Sequence, residues 1–249
     1  MMIRLDSSGI ALTVVLGIVV AYVLVVLLPR VFKKESGGWS ILLVGPCNAG
    51  KTALFMRLVE PGMKGMKGMK DTVTSMQPNV GMATVGAGGC QVIDLPGHPR
   101  LGSFFDKEVS KAKGIVMVVD SMDFNGSKDE AARHMYRLLT NPVVRGRGIP
   151  ILVACNKSDG GAKAHSVDFI RKRLEKMIFD LYTSDTGNSG LDSIGKEEAR
   201  EHNILTGSED AFTFSDLAEK RKYHRPLRVS FEKISVKEND IDAVEAFIH

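Results

Sequence analysis

Gly45-Pro46-Cys47-Asn48-Ala49-Gly50-Lys51-Thr52 is the stretch whose reading decides the fold. It follows a short apolar run, Trp39 to Val44, with the character of a strand. It precedes Ala53-Leu54-Phe55-Met56-Arg57-Leu58-Val59, which reads as a helix. Strand, Gly-x-x-x-x-Gly-Lys-Thr, helix is the context in which this motif cradles a nucleotide's phosphates. Gly45 and Gly50 let the backbone curl so that successive N–H groups point at phosphate oxygens. Pro46, Cys47, Asn48 and Ala49 complete that curl. Lys51 supplies a compact positive charge for the β- and γ-phosphates, Thr52 offers a hydroxyl to Mg²⁺, and the helix amino terminus adds its dipole.

Two further segments say which nucleotide. Gln91-Val92-Ile93-Asp94-Leu95-Pro96-Gly97-His98 ends a strand in an Asp, with a Gly three residues later. Beside a phosphate loop, such an Asp holds Mg²⁺, often through water, and the Gly N–H can bond the γ-phosphate. Ile149 to Asp159 then reads IPILVACNKSD, a buried strand delivering Asn156, Lys157 and Asp159 to the sheet's carboxyl edge. The Asp159 carboxylate can accept two hydrogen bonds from the N1–H and 2-amino groups of guanine. Adenine lacks that donor pair and would leave the carboxylate unpaired, so the discrimination can be large. Lys157 can lie along the base with its apolar stem. Guanine is the expected base.

Composition allows a packed core, with 44% hydrophobic and 25% charged residues. Net charge is only +4, from 33 Lys+Arg against 29 Asp+Glu, without a long basic block, so direct nucleic-acid binding is not expected. The 3 cysteines, Cys47, Cys90 and Cys155, show no metal-type spacing and read as buried thiols in a reducing compartment.

Ile10 to Leu28, IALTVVLGIVVAYVLVVLL, carries no charge. As a helix it would reach roughly 28 Å, close to the hydrocarbon thickness of a bilayer. Pro29-Arg30-Val31-Phe32-Lys33-Lys34 follows it, a poor context for signal-peptide cleavage. The positive flank is expected to stay in the cytosol, which makes residues 1–9 lumenal, 10–28 a single-pass span and 29–38 a cytosolic linker.

The three motifs in this order resemble those of the small Ras-like GTPases, from about residue 39 to the end of the chain. GPCNAGKT, DLPGH and an amino-terminal span together look most like the beta-subunit family of the signal recognition particle receptor. That family is similar to the Arf and Sar GTPases but carries a transmembrane helix instead of an amphipathic or lipidated tail. The resemblance implies that Thr72-Val73-Thr74-Ser75 is the first switch segment. One hydroxyl there, of Ser75 or Thr74, would meet Mg²⁺ or the γ-phosphate; spacing alone does not decide. Ser235-Val236 resembles the Ser-Ala pair that closes over the guanine, and Val for Ala is tolerable if the backbone N–H makes the contact. His98 stands where a Ras-type GTPase has the glutamine that orients water, or it is simply an exposed switch residue. No clear arginine finger is present in cis, although Arg100 is near, so any intrinsic turnover is expected to be slow.

The expected fold is α/β: a doubly wound G domain over 39–249, with a mostly parallel six-stranded sheet and one antiparallel edge strand near Val80 to Val85. Asn239 to Ile248 reads as a terminal helix, with Ile241, Val244, Ala246, Phe247 and Ile248 available to pack. The Gly-Met-Lys repeat between Gly62 and Lys70 reads as a flexible loop at about 61–71, and Thr183 to Asp210 as a long polar surface loop. The resemblance implies a GTP- or GDP-binding receptor subunit in the endoplasmic reticulum membrane, with its G domain in the cytosol. It would recruit the receptor's alpha subunit as a heterodimer, in the vicinity of ribosome and translocon, for co-translational targeting. The rivals are an anchored Arf/Sar-type switch controlling vesicle coats and a scaffold that has lost nucleotide binding.

Overall fold

The structure is a computed structural model and describes residues 39–60, 62, 75, 77–85, 88–97, 101–188, 211–218 and 225–249. The expected lumenal segment, span and linker, Thr72 to Thr74, His98, Arg100 and all of the Gly-Met-Lys repeat but Gly62 lie outside them. Among the described residues, no helix is long and apolar enough to cross a membrane.

Six strands form one sheet in the order β2-β3-β1-β4-β5-β6. They are β1 (Ser40–Val44), β2 (Asn79–Val85), β3 (Gly88–Asp94), β4 (Ala112–Asp120), β5 (Ile151–Asn156) and β6 (Val229–Lys233). Only β2 runs antiparallel, pairing Val80 with Ile93 and Ala83 with Cys90. The others are parallel, with Leu42 opposite both Ile93 and Ile115. The expected mostly parallel sheet and its antiparallel edge are present.

Helices cover both faces, which is why the central strands read as unbroken apolar runs. They are α1 (Lys51–Val59), α2 (Leu101–Glu108), α3 (Phe124–Thr140), α4 (Pro142–Arg147), α5 (Val167–Asn188) and α6 (Asp242–Ile248). Side chains alternate across a strand. Thus Leu42, Val44, Ile115 and Met117 join the core that includes Phe105 of α2, Met135 of α3 and Leu174 of α5. Ile41, Leu43, Val116 and Val118 join the opposite core with Leu54 of α1 and Val244 of α6. Each of these residues is at most 1% exposed. Truncating one, as in Leu42→Ala, would cost about 2–5 kcal/mol.

Two expectations need correction. The polar stretch expected as loop from Thr183 continues α5 to Asn188. Its hydroxyls bond back to the helix: Thr183 Oγ1 donates to the Phe179 carbonyl at 3.0 Å and Ser184 Oγ to the Asp180 carbonyl at 2.7 Å. Polar side chains satisfied in this way need not end a helix. Residues 189–210 lie outside the described residues. In α6, Ala246 is exposed, and Ala243 packs on the sheet instead. The stripe set by Ile241, Val244 and Ile248 leaves residue 246 on the outer side.

Candidate nucleotide site

Gly45 to Gly50 link β1 to α1 at the sheet's carboxyl edge. The curl depends on its glycines. Gly45 has φ 134°, and a Cβ there would lie 2.2 Å from the Val118 carbonyl oxygen. Gly50 has φ 94°, and a Cβ there would lie 2.3 Å from Asn156 Nδ2. Asn48 also sits in the left-handed region, at φ 60°. Cys47, expected to be buried, is only half-buried, because it belongs to this loop and not to a strand. Cys90 and Cys155 are buried and free, and burial pushes the Cys155 thiol up to about 12.

Lys51 opens α1 and is 7% exposed, with Nζ donating to the Pro46 carbonyl at 2.7 Å. Burial lowers its pKa, while Asp94, Cys47 and Glu130 oppose that shift through their charges. The ammonium is thus held beside the Gly45–Gly50 curl at the amino terminus of α1, a setting that suits polyanionic phosphate.

Thr52, Ser75 and Asp94 converge beside it. Thr52 Oγ1 donates to Asp94 Oδ2 at 2.7 Å and lies 3.1 Å from Ser75 Oγ. Asn79, which the sequence reading missed, donates from Nδ2 to both Ser75 Oγ and Asp94 Oδ2 at 3.0 Å. Asp94 is fully buried and its Oδ1 has no hydrogen-bond partner. Burial raises the carboxyl's pKa, against the hydrogen bonds from Thr52 and Asn79 and the Lys51 charge. Three hard oxygens with an orphaned carboxylate oxygen fit a divalent cation such as Mg²⁺, which takes a few protein oxygens and keeps several waters. Gly97 is buried against the loop: a Cβ on it would lie 2.8 Å from Cys47 N and 2.9 Å from Lys51 Nζ.

The remaining predicted residues gather at the neighbouring strand ends. Asn156 Nδ2 donates to the Ala49 carbonyl at 2.8 Å, and its Oδ1 accepts from Val236 N–H at 3.1 Å. Asp159 Oδ1 accepts from Ser235 Oγ at 2.7 Å, and Lys237 Nζ lies 3.7 Å from its other oxygen. Lys157, at φ 63°, donates from Nζ to Asp120 Oδ2. The other Asp120 oxygen accepts from the N–H groups of Met122 and Asp123, at 2.9 and 3.1 Å. Asp120 was not anticipated, although it ends an apolar strand at the same edge as Asp94. Arg57, 1% exposed, supports the floor by donating from Nε to the Val236 carbonyl at 3.2 Å.

A glycine loop closed on a buried ammonium, a cluster of hard oxygens and a carboxylate turn thus share one edge of a mostly parallel sheet. This is an α/β phosphate-loop GTPase fold. The family described as signal recognition particle receptor beta subunit matches residues 37–221. The rat signal recognition particle receptor subunit beta is 34% identical over 234 residues, covering 90% of this chain and 80% of the relative. The human one is 35% identical over 232 residues, covering 89% and 78%. A solved structure of the mammalian SRP receptor superposes with a TM-score of 0.63 at 30% identity, covering 84% of this chain and 97% of that one. The chain belongs to the signal recognition particle receptor beta subunit family.

Proposed function

We propose that the chain is a guanine-nucleotide-gated membrane receptor subunit that captures the receptor's alpha subunit at the endoplasmic reticulum. The observation that carries this reading is the link made by Asn156, which ties the Asp159 turn to the phosphate loop through the Ala49 carbonyl. A carboxylate suited to guanine and an ammonium suited to phosphate are thereby held at the two ends of one site. Gly45 to Thr52 would hold the phosphates. Asp159, with the Ser235-Val236 backbone and the Lys157 stem, would hold the base. Thr52, Ser75 and Asp94 would hold Mg²⁺, which supplies charge neutralisation at the terminal phosphates. The Gly97 N–H would reach the γ-phosphate, so that a triphosphate orders the segments around Ser75 and Gly97 and a diphosphate releases them.

Residues 10–28 serve in this reading as a single-pass anchor, with 39–249 in the cytosol. Relatives named for the signal recognition particle receptor support the membrane setting and the alpha-subunit partner. Exposed apolar residues on the β2 edge are compatible with a protein-binding role: Val80 and Met82, on one face of the strand, are 58% and 53% exposed. Hydrolysis is secondary and slow without a partner in trans.

The test is capture of purified alpha subunit on liposomes carrying the full chain, with GTP, GDP or no nucleotide. Capture with GTP and little with GDP is expected. Undiminished capture without nucleotide would support the scaffold, and failure to capture the alpha subunit at all would favour an Arf/Sar-type role.

A further inference from the structure

The parallel strands begin at the edge of the sheet opposite the phosphate loop, and basic residues gather there. Trp39 leads into β1, and its N–H donates to the Lys111 carbonyl at 2.9 Å, just ahead of β4. Arg147, at the end of α4, reaches the same Val109–Lys111 turn and donates from Nη1 to the Ser110 carbonyl. Arg228, exposed ahead of β6, extends the row, its carbonyl accepting from Ile151 N–H at 2.9 Å. Beside Trp39 a groove of about 250 Å³ opens between β2, β3 and the end of α2, with Val80, Phe104, Lys107, Glu108 and Lys111 in its lining. Glu108 is paired with Lys111 at 3.2 Å. Lys107, exposed on the rim, has no ion pair among the described residues.

We propose that this edge docks on the anionic headgroups of the bilayer, with the Trp39 ring at the interface and Lys107 and Lys111 beside it meeting lipid phosphates. This rests on reading residues 10–28 as a membrane anchor. Trp39 follows Leu28, the end of the apolar run, by about eleven residues, a reach of under about 40 Å even when fully extended. The edge is therefore kept at high local concentration beside the bilayer, where a surface too weak to bind from free solution suffices. Its chemistry matches that neighbour. An indole at the water boundary buries its ring and keeps its N–H wet, and Trp39 is 51% exposed. Lysines lay their apolar stems along such a boundary and hold their ammonium groups among phosphates, drawn by the negative surface potential of the cytosolic leaflet. With this edge on the membrane, the opposite edge, with Lys51, Asp94 and Asp159, faces the cytosol.

The test reconstitutes the full chain in vesicles of phosphatidylcholine, alone or mixed with phosphatidylserine, with acyl chains brominated near the headgroups. Trp39 is the 1 tryptophan of the chain, so its emission reports this edge alone. With phosphatidylserine the emission should shift to the blue and be quenched. Without it, or in high salt, the emission should remain that of a solvated ring. Lys107→Gln combined with Lys111→Gln should lower the ratio of docked to undocked chain about twentyfold, at roughly fivefold for each charge removed. Both side chains are exposed, so the variant should melt as the parent does. Equal emission in the two kinds of vesicle, or quenching that survives both substitutions, overturns the proposal alone. A blue shift that appears only when alpha subunit is added also overturns it, and makes the edge a protein interface. Flotation after alkaline washing tests the anchor separately: a chain that washes off the vesicles removes the anchor reading, and the proposal falls with it.

Discussion

Asn156 Nδ2 donates to the Ala49 carbonyl at 2.8 Å, joining the end of β5 to the phosphate loop. Through Oδ1 the same side chain takes up the Val236 N–H, so one amide ties three segments that are remote in sequence. Asn156 is 3% exposed, and water cannot replace it cheaply. Within Asn-Lys-x-Asp, the Asn is a structural tie, and in the proposed site the Asp would be the residue to meet a base.

Asn156→Ala is accordingly expected to destabilise the fold even without nucleotide. It leaves a buried carbonyl and a buried N–H unpaired, which costs about 2–4 kcal/mol in all. Chemical denaturation of the nucleotide-free chain measures this. A loss confined to nucleotide affinity, with stability intact, would contradict the structural role.

The glycines separate stability from binding in a second way. Gly45→Ala drives a Cβ to within 2.2 Å of the Val118 carbonyl at a φ of 134°, so it should destabilise the chain itself. The expected cost is about 3 kcal/mol or more. At Gly97, the nearest atoms to an added Cβ are Cys47 N at 2.8 Å and Lys51 Nζ at 2.9 Å. Gly97→Ala should therefore fold but push the turn off the loop and weaken the GTP analogue. Thermal melts beside nucleotide titrations check both, and a fold loss in Gly97→Ala matching that in Gly45→Ala would refute the distinction.

Lys51→Ala tests the electrostatics. Burial holds the ammonium's pKa below the ordinary lysine value. The folded chain therefore binds this proton less tightly than the unfolded chain. Its charge costs stability at neutral pH, and the cost fades as pH rises toward the ordinary lysine value. The variant should be no less stable than the parent at pH 7 when nucleotide is absent, while its nucleotide affinity drops about ten- to a hundredfold. Melting temperatures across pH and a titration give both readings. Parent-level affinity for GTP and GDP would sink the phosphate-loop assignment.

The sheet was legible because its central strands announce themselves: Ile41 to Val44, Ile115 to Val119 and Ile151 to Cys155 are apolar on both faces, and the first and the last of them end at a motif. The loop, Asp94 and Asp159 were legible because their chemistry is local to a short run. Asn79 and Asp120 were not, because each acts on a residue brought near only by the fold. Asp120 did carry a signal, as a carboxylate ending an apolar strand at the ligand-binding edge. Asn79 merely opens a strand, and nothing in its neighbours points to Ser75 or Asp94. The misplaced start of the loop after α5 has a related cause. Thr183 and Ser184 read as polar breakers, yet their hydroxyls are spent on carbonyls of their own helix.

The most direct test of the guanine-nucleotide site is the affinity of Asp159→Asn for guanine against xanthine nucleotides. Asp159 Oδ1 already accepts from Ser235 Oγ at 2.7 Å, and an amide oxygen can keep that bond, so the variant should fold as the parent does. What changes is the edge offered to the base: a carboxylate that accepts from N1–H and the 2-amino group becomes an amide that can donate to a 2-oxo group. The account predicts that GTP affinity falls by roughly a hundredfold or more while xanthosine triphosphate becomes the preferred ligand. GTP binding at the parent's affinity, with no gain for xanthosine triphosphate, would contradict it.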